Sequence, residues 1–189
     1  MSRKKQLSPE EIVDSFKQEL SGKIIDSKIE KHPIGPSKNE LIQIWMTVHK
    51  DSYKDAVKHL LSIDKNAHFA VGSGYDIEDR IEVINHFSIY FGKKGREITI
   101  SFTVPLPKSD PTMESICDMI PGALISEQEK QEMLGIKVMN IPKDMRVFIS
   151  DDFPEDMYPW RKDETNVDKL GRNLHENDKI PAPKTDGES

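Results

Sequence analysis

This chain of 189 residues holds a single cysteine, Cys117. One thiol excludes an internal disulfide and any metal or iron–sulfur site built from cysteines of this chain alone. It also fits a reducing cytoplasm. No apolar run reaches the roughly 18 to 20 residues that a membrane-spanning helix needs. The start, Met1 to Gln6, is charged but leads into no apolar segment, so no signal peptide is expected. Positive charge is short as well: the formal net charge is -6, which leaves no basic footprint for nucleic acid. Aromatic residues make up only 7%, so where they gather is informative.

Chemistry-bearing motifs are also scarce. None of the six histidines stands at a metal-ligand spacing from another histidine or from Cys117. There is no Gly-x-Ser-x-Gly elbow and no Walker loop. Gly72-Ser73-Gly74 resembles part of a dinucleotide-binding loop, but the third glycine and the following helix are missing, so it reads as a structural break after a short strand at 68–71. Asp151, Asp152, Glu155 and Asp156 could together hold a divalent cation, yet the ligand order of a calcium loop is absent, and a solvated loop accounts for them as well. Cys117 falls on an apolar stripe with no cationic neighbour in view, as an inert packing thiol would.

What is present reads as one α+β domain. Ser8-Pro9-Glu10-Glu11 is a capping box, followed by Ile12, Val13, Phe16 and Leu20 at helical spacing, with Gly22 as a stop. Residues 31–38 read as a loop. Ile42, Ile44, Met46 and Val48 alternate as on a half-buried strand, and Ala56, Val57, Leu60 and Leu61 stripe a second helix. Ile81, Val83, Phe87, Ile89 and Phe91 share one strand face, as do Ile98, Ile100, Phe102 and Val104, with Gly92 to Gly95 as a hairpin loop. Alternation of this kind predicts an antiparallel sheet of about four strands with helices on one face. Asp110 is read as the cap of a short helix carrying Met113, Ile116, Cys117 and Ile120, stopped by Pro121-Gly122. Ser126 and Glu129 read as a second capping box on a helix from Glu127 to Leu134, with Gly135 just past its end. Glu127, Glu129 and Glu132 would favour the positive end of that helix. The chain thus divides into an α+β domain at 1–125, a helix and extended strap at 126–163, and a tail at 164–189 too poor in apolar residues to fold alone.

The strap carries the anchors. Phe153, Tyr158, Trp160 and Arg161 stand in a proline-punctuated, irregular segment, and aromatic and Arg side chains dominate protein interfaces. Such a strap docks on a partner or packs on its own domain; composition leaves both open.

Residues 127–136, Glu-Gln-Glu-Lys-Gln-Glu-Met-Leu-Gly-Ile, are similar to the motif E-R-E-x-Y-D-[LMF]-F-G-[IV] of the 30 kDa subunit of proton-pumping NADH:quinone oxidoreductase, respiratory complex I, and of its relatives in energy-converting membrane-bound NiFe hydrogenases. Pro142, Met145 and Arg146 follow the family's second motif with one residue inserted. Asp151-Asp152-Phe153 stands at its acidic pair and Trp, and Pro159-Trp160-Arg161-Lys162-Asp163 follows P-L-R-K-D. Ile84 to Ser88 resembles an upstream family segment, so the likeness covers roughly residues 80–163. Gln128, Gln131 and Asn140-Ile141-Pro142 depart from the family pattern and point to the ferredoxin-linked hydrogenase branch over the NADH enzyme.

The resemblance implies a structural subunit without cofactor in the hydrophilic arm, on the cytoplasmic side of the membrane. It implies docking on the hydrogenase-like large subunit, near the small iron–sulfur subunit and the membrane arm, with iron–sulfur clusters and NiFe confined to those partners. The interface residues it implies are Glu127, Glu129, Glu132, Gly135, Arg146, Phe153, Tyr158, Trp160, Arg161, Lys162 and Asp163. The rival expectations are the 30 kDa subunit of a classical NADH:quinone oxidoreductase, an independent soluble metal-dependent enzyme, and an assembly adaptor.

Overall fold

The computed structural model describes residues 6–36, 39–92, 96–143, 145–163 and 165. Apart from Thr165, the expected tail at 164–189 lies outside the described residues, as do three residues of the loop at 92–95.

Helix α1 (Pro9–Glu19) begins as its sequence dictates. Glu11 N donates to Ser8 Oγ at 3.1 Å and Ser8 N donates to Glu11 Oε2 at 2.7 Å, satisfying two orphan backbone donors reciprocally. Strands β1 (Ile24–Ile34) and β2 (Asn39–Val48), helix α2 (Tyr53–Ile63), and strands β3 (His68–Ile77), β4 (Arg80–Ile89) and β5 (Ile98–Pro107) complete the sheet layer. The sheet has five strands in the order β1-β2-β5-β4-β3. Its apolar face meets α1 and α2, where Phe16, Tyr53 and Phe87 surround Phe102 at ring-centroid distances of 5.5, 6.4 and 5.7 Å.

The structure corrects several expectations. The sheet is mixed: β2 and β5 run parallel, because α2 and the β3–β4 hairpin form a crossover that returns β5 between β2 and β4. Side-chain alternation has the same period in either orientation, so the pattern could not reveal this. The fifth strand, β1, takes up the first half of the expected loop at 31–38, residues 31–34. It is an exposed edge strand, which is why it lacks apolar alternation and tolerates Pro33 opposite Glu40. Gly72-Ser73-Gly74 does not break β3 but lies inside it, paired with Asn85, Ile84 and Val83. Phe91 lies past the end of β4 and is exposed, while its neighbour Tyr90 is buried. In place of a helix after Asp110, strand β6 (Thr112–Glu114) pairs in parallel with β7 (Lys137–Met139). Met113, Ile116 and Cys117 are buried as their helical spacing required, but a short strand and a turn do the burying.

Helix α3 (Leu124–Leu134) starts straight from a 3-10 turn at Pro121–Ala123. The boundary read at 125/126 therefore falls inside this helix. Leu134 joins the same buried cluster as the sheet, and α3 rests against β3.

Candidate docking interface

Helix α3 is the hub to which the strap is fastened. It can approach the sheet closely because β3 offers glycines at alternate positions. A Cβ on Gly72 would lie 2.5 Å from Asn85 Oδ1 and 2.6 Å from Ser126 Oγ; one on Gly74 would lie 2.7 Å from Leu134 Cδ1.

The second capping box is absent, since Ser126 lies within the helix and its hydroxyl serves the α3–β3 seam instead. Lys130, which sequence reasoning passed over, is buried there. Its Nζ donates to Gly72 O at 2.7 Å, Ser126 O at 2.9 Å and Ser126 Oγ at 2.7 Å. Three acceptors match the three ammonium donors. Burial nevertheless pushes the Lys130 ammonium down to about 8.

Two expected interface carboxylates look inward. Glu127 accepts from Ser115 Oγ at 2.6 Å, Ile116 N at 2.9 Å and Cys117 Sγ at 3.1 Å, fixing the turn that follows β6. Its work is thus more specific than favouring the helix dipole. Burial, together with the Glu127 charge, raises the Cys117 thiol to about 11, far from a reactive thiolate. Glu132 accepts from the backbone N–H groups of Val147, Phe148 and Ile149 at 2.6, 2.8 and 2.9 Å. Glu129 is left partly exposed, 3.8 Å from the Lys130 ammonium.

The strap closes over the C-terminal end of α3. Gly135 has φ 64°, the left-handed geometry that stops a helix, and the Tyr158 ring lies where a Cβ would project. Trp160 N donates to Met133 O at 2.9 Å and Arg161 Nε to Leu134 O at 2.6 Å, satisfying carbonyls that the helix leaves orphaned. The Arg161 guanidinium carbon also stands 5.6 Å from the Tyr158 ring centroid.

Beyond it, Lys162 N donates to Asp76 Oδ2 at 2.9 Å. Lys108 Nζ lies 2.8 Å from Asp76 Oδ1, off the hydrogen-bond axis, and donates to Asp163 Oδ2 at 3.0 Å. Asp76 is fully buried, so these partners are what make its charge tolerable. Burial works against an ionised Asp163, but hydrogen bonds from Thr165 and Lys108 outweigh it and hold the carboxyl at about 2.

Of the residues expected at an interface, Glu127, Glu132, Gly135, Arg146, Tyr158, Arg161 and Asp163 therefore serve contacts within the chain. Phe153 is half-buried, while Trp160 and Lys162 stay exposed. Asp76 and Lys108 went unnoticed because each is a single charge in a strand or strand end, with nothing local to mark its burial. The carboxylates Asp151, Asp152, Glu155 and Asp156 are all exposed, and no group of three or more His, Cys, Asp or Glu among the described residues is arranged to hold a metal ion. No helix among the described residues is long and apolar enough to cross a membrane.

Residues 46–169 match the family described as respiratory-chain NADH dehydrogenase, 30 Kd subunit. The chain belongs to this family. Among curated 30 Kd-type relatives, the membrane-bound hydrogenase subunit beta of Pyrococcus furiosus is 30% identical over 125 residues, covering 66% of this chain and 72% of that protein. Formate hydrogenlyase subunit 5 of Escherichia coli is 25% identical over 151 residues, which are 77% of this chain but 25% of the relative. Hydrogenase-4 component G of the same organism is 31% identical over 81 residues, covering 41% of this chain and 15% of its own length. The 30 Kd fold is also seen in a chain of the membrane-bound sulfane sulfur reductase, an archaeal respiratory membrane complex, with TM-score 0.67 and 18% identity over 95% of this chain and 97% of that one. A trypsin-resistant fragment of Nqo5 superposes with TM-score 0.53 at 18% identity, covering 71% and 97%.

Proposed function

We propose that this 30 Kd-type chain is a non-catalytic structural subunit of a membrane-bound, complex I-related complex of the ferredoxin-linked hydrogenase type. It holds the hydrogenase-like large subunit beside the small iron–sulfur subunit, peripheral to the cytoplasmic side of the membrane. The carrying observation is the family match over 46–169, together with the Pyrococcus furiosus relative, whose name places it in a membrane-bound hydrogenase. The structure supports the reading through what its conspicuous residues do. Glu127 fixes the turn after β6 to α3, while Glu132, Arg161 and Asp163 hold the strap to the domain and leave Trp160 outward, the economy of a scaffold.

In this reading the clusters that carry electrons, iron–sulfur and NiFe, belong to partner subunits, and this chain contributes the geometry that keeps them adjacent. The test is native purification of the membrane complex from its source, followed by mass spectrometry. The chain is expected at one copy per large subunit. Its absence from the mature complex would instead identify an assembly adaptor, and co-purification with an NADH-oxidising module would identify the classical enzyme.

A further inference from the structure

The loop at 145–153 has no regular secondary structure, yet its backbone is tied down from both sides by charge. Glu132 takes the three successive N–H groups of Val147, Phe148 and Ile149 at 2.6, 2.8 and 2.9 Å. Arg146 Nη1 takes the carbonyls, at 2.9 Å from Ser150 O, 3.1 Å from Phe153 O and 3.3 Å from Asp151 O. Charge-assisted bonds are roughly twice as strong as neutral ones, so this loop is held in one conformation.

That conformation turns apolar groups outward: Met145 is 57% exposed, Val147 45% and Phe148 47%. A rigid loop that shows three large apolar side chains to water is a preorganised contact, since little ordering entropy remains to be lost on binding. Exposed Asp151, Asp152, Glu155 and Asp156 follow in the same segment, and Glu155 and Asp156 line one cavity with Met145 and Arg146.

We propose that loop 145–149 is a preformed knob that seats Val147 and Phe148 in an apolar recess, rimmed by Lys and Arg, on the hydrogenase chain of the complex. The proposal rests on the functional reading above. Two observations select this occupant. The acidic rim would repel a second copy of the same surface and calls for a basic one. In formate hydrogenlyase subunit 5 and hydrogenase-4 component G, the matching region is only 25% and 15% of the polypeptide. There the matching region is part of a longer polypeptide named as a component of a formate hydrogenlyase or a hydrogenase, whose remainder is the natural neighbour for the knob. Glu132 acts as a positioning residue that aims the two side chains.

The test uses the full chain, affinity-tagged and expressed in its own host, with the hydrogenase chain recovered per tagged chain quantified by mass spectrometry. Phe148→Asp is expected to lower recovery about tenfold, while Val71→Asp, an exposed change on the sheet face opposite α3, leaves it unchanged. Glu132→Gln is expected to lower recovery less than Phe148→Asp. The isolated Phe148→Asp chain should keep its thermal midpoint, which separates loss of docking from loss of fold. Undiminished recovery with Phe148→Asp overturns the knob while leaving the functional reading in place. A photo-crosslinker at position 148 that reacts only with a different protein of the complex overturns the partner. If the wild-type chain recovers no hydrogenase chain, the functional reading itself falls, and the knob with it.

Discussion

The ring of Tyr158 occupies the space where residue 135 would carry a Cβ: an atom built there on Gly135 lies 2.5 Å from the ring carbons Cε2 and Cζ. The helix stop and the strap are thus one packing unit. Gly135→Ala meets two penalties, the left-handed φ of 64° and the clash with the ring, together about 2–4 kcal/mol. Urea unfolding should show the midpoint fall. Adding Tyr158→Ala to Gly135→Ala should cost less than Tyr158→Ala costs alone, because removing the ring also relieves the clash. Additive costs would mean that the ring and the glycine are not coupled.

Asp163 gives the strap a pH dependence whose sign is fixed. Its folded carboxyl sits at about 2, below its ordinary value of 3.8. A depressed acid contributes stability above its unfolded value and loses it as pH falls through the folded one. Asp163→Asn is therefore expected to cost about 1–2 kcal/mol at neutral pH, allowing for partial solvent screening. The difference from wild type should shrink as pH falls from about 4 through 2. Paired urea titrations at pH 6 and pH 2.5 check it: the difference should fall to about a third, and one as large at pH 2.5 as at pH 6 rules out the ionised Asp163 carboxylate as its cause.

How far these relationships could be read from sequence depends on whether their cause is local. The capping box at Ser8 and Glu11 and the glycine stop at 135 are set within a turn of chain, and both appear where expected. So do the inward faces of β2 and β5, since period-two alternation reports burial directly. What escaped was non-local. The parallel pairing of β2 with β5, the edge strand β1 and the burial of Asp76 depend on which strands become neighbours. Arg161 was legible as an anchor from its residue type, but its target, the Leu134 carbonyl at the end of α3, was not. Lys130 escaped for a related reason. Nothing in the charged run around it marks its burial, and only the glycines of β3, distant along the chain but adjacent in space, put it inside.

The acidic loop makes a negative prediction. Asp151, Asp152, Glu155 and Asp156 are exposed and do not converge. Calorimetric titration of the purified chain with Mg²⁺, Mn²⁺ or Ca²⁺ is expected to give no heat beyond dilution. Saturable binding, lost on Asp152→Asn, would revive a metal-dependent enzyme as the function.

Lys130 supplies the last test, because its burial is tied to Gly72. With its ammonium pushed down to about 8 in the fold against an ordinary 10.5, the unfolded chain binds more protons between those values. Stability contributed at this position therefore rises as pH increases from about 8 to 10.5, by up to roughly 3 kcal/mol. Other lysines and tyrosines titrate in the same window, so the quantity to measure is the difference between wild type and Lys130→Met at pH 7.5, 9 and 10.5. That difference should grow with pH. Gly72→Ala puts a methyl group 3.0 Å from Lys130 Nζ and 2.6 Å from Ser126 Oγ, forcing both away from the Gly72 carbonyl. It should destabilise by about 1–3 kcal/mol and flatten the pH-dependent difference. A Gly72→Ala chain that keeps the wild-type pH profile would show that the ammonium does not depend on the α3–β3 seam for its acceptors.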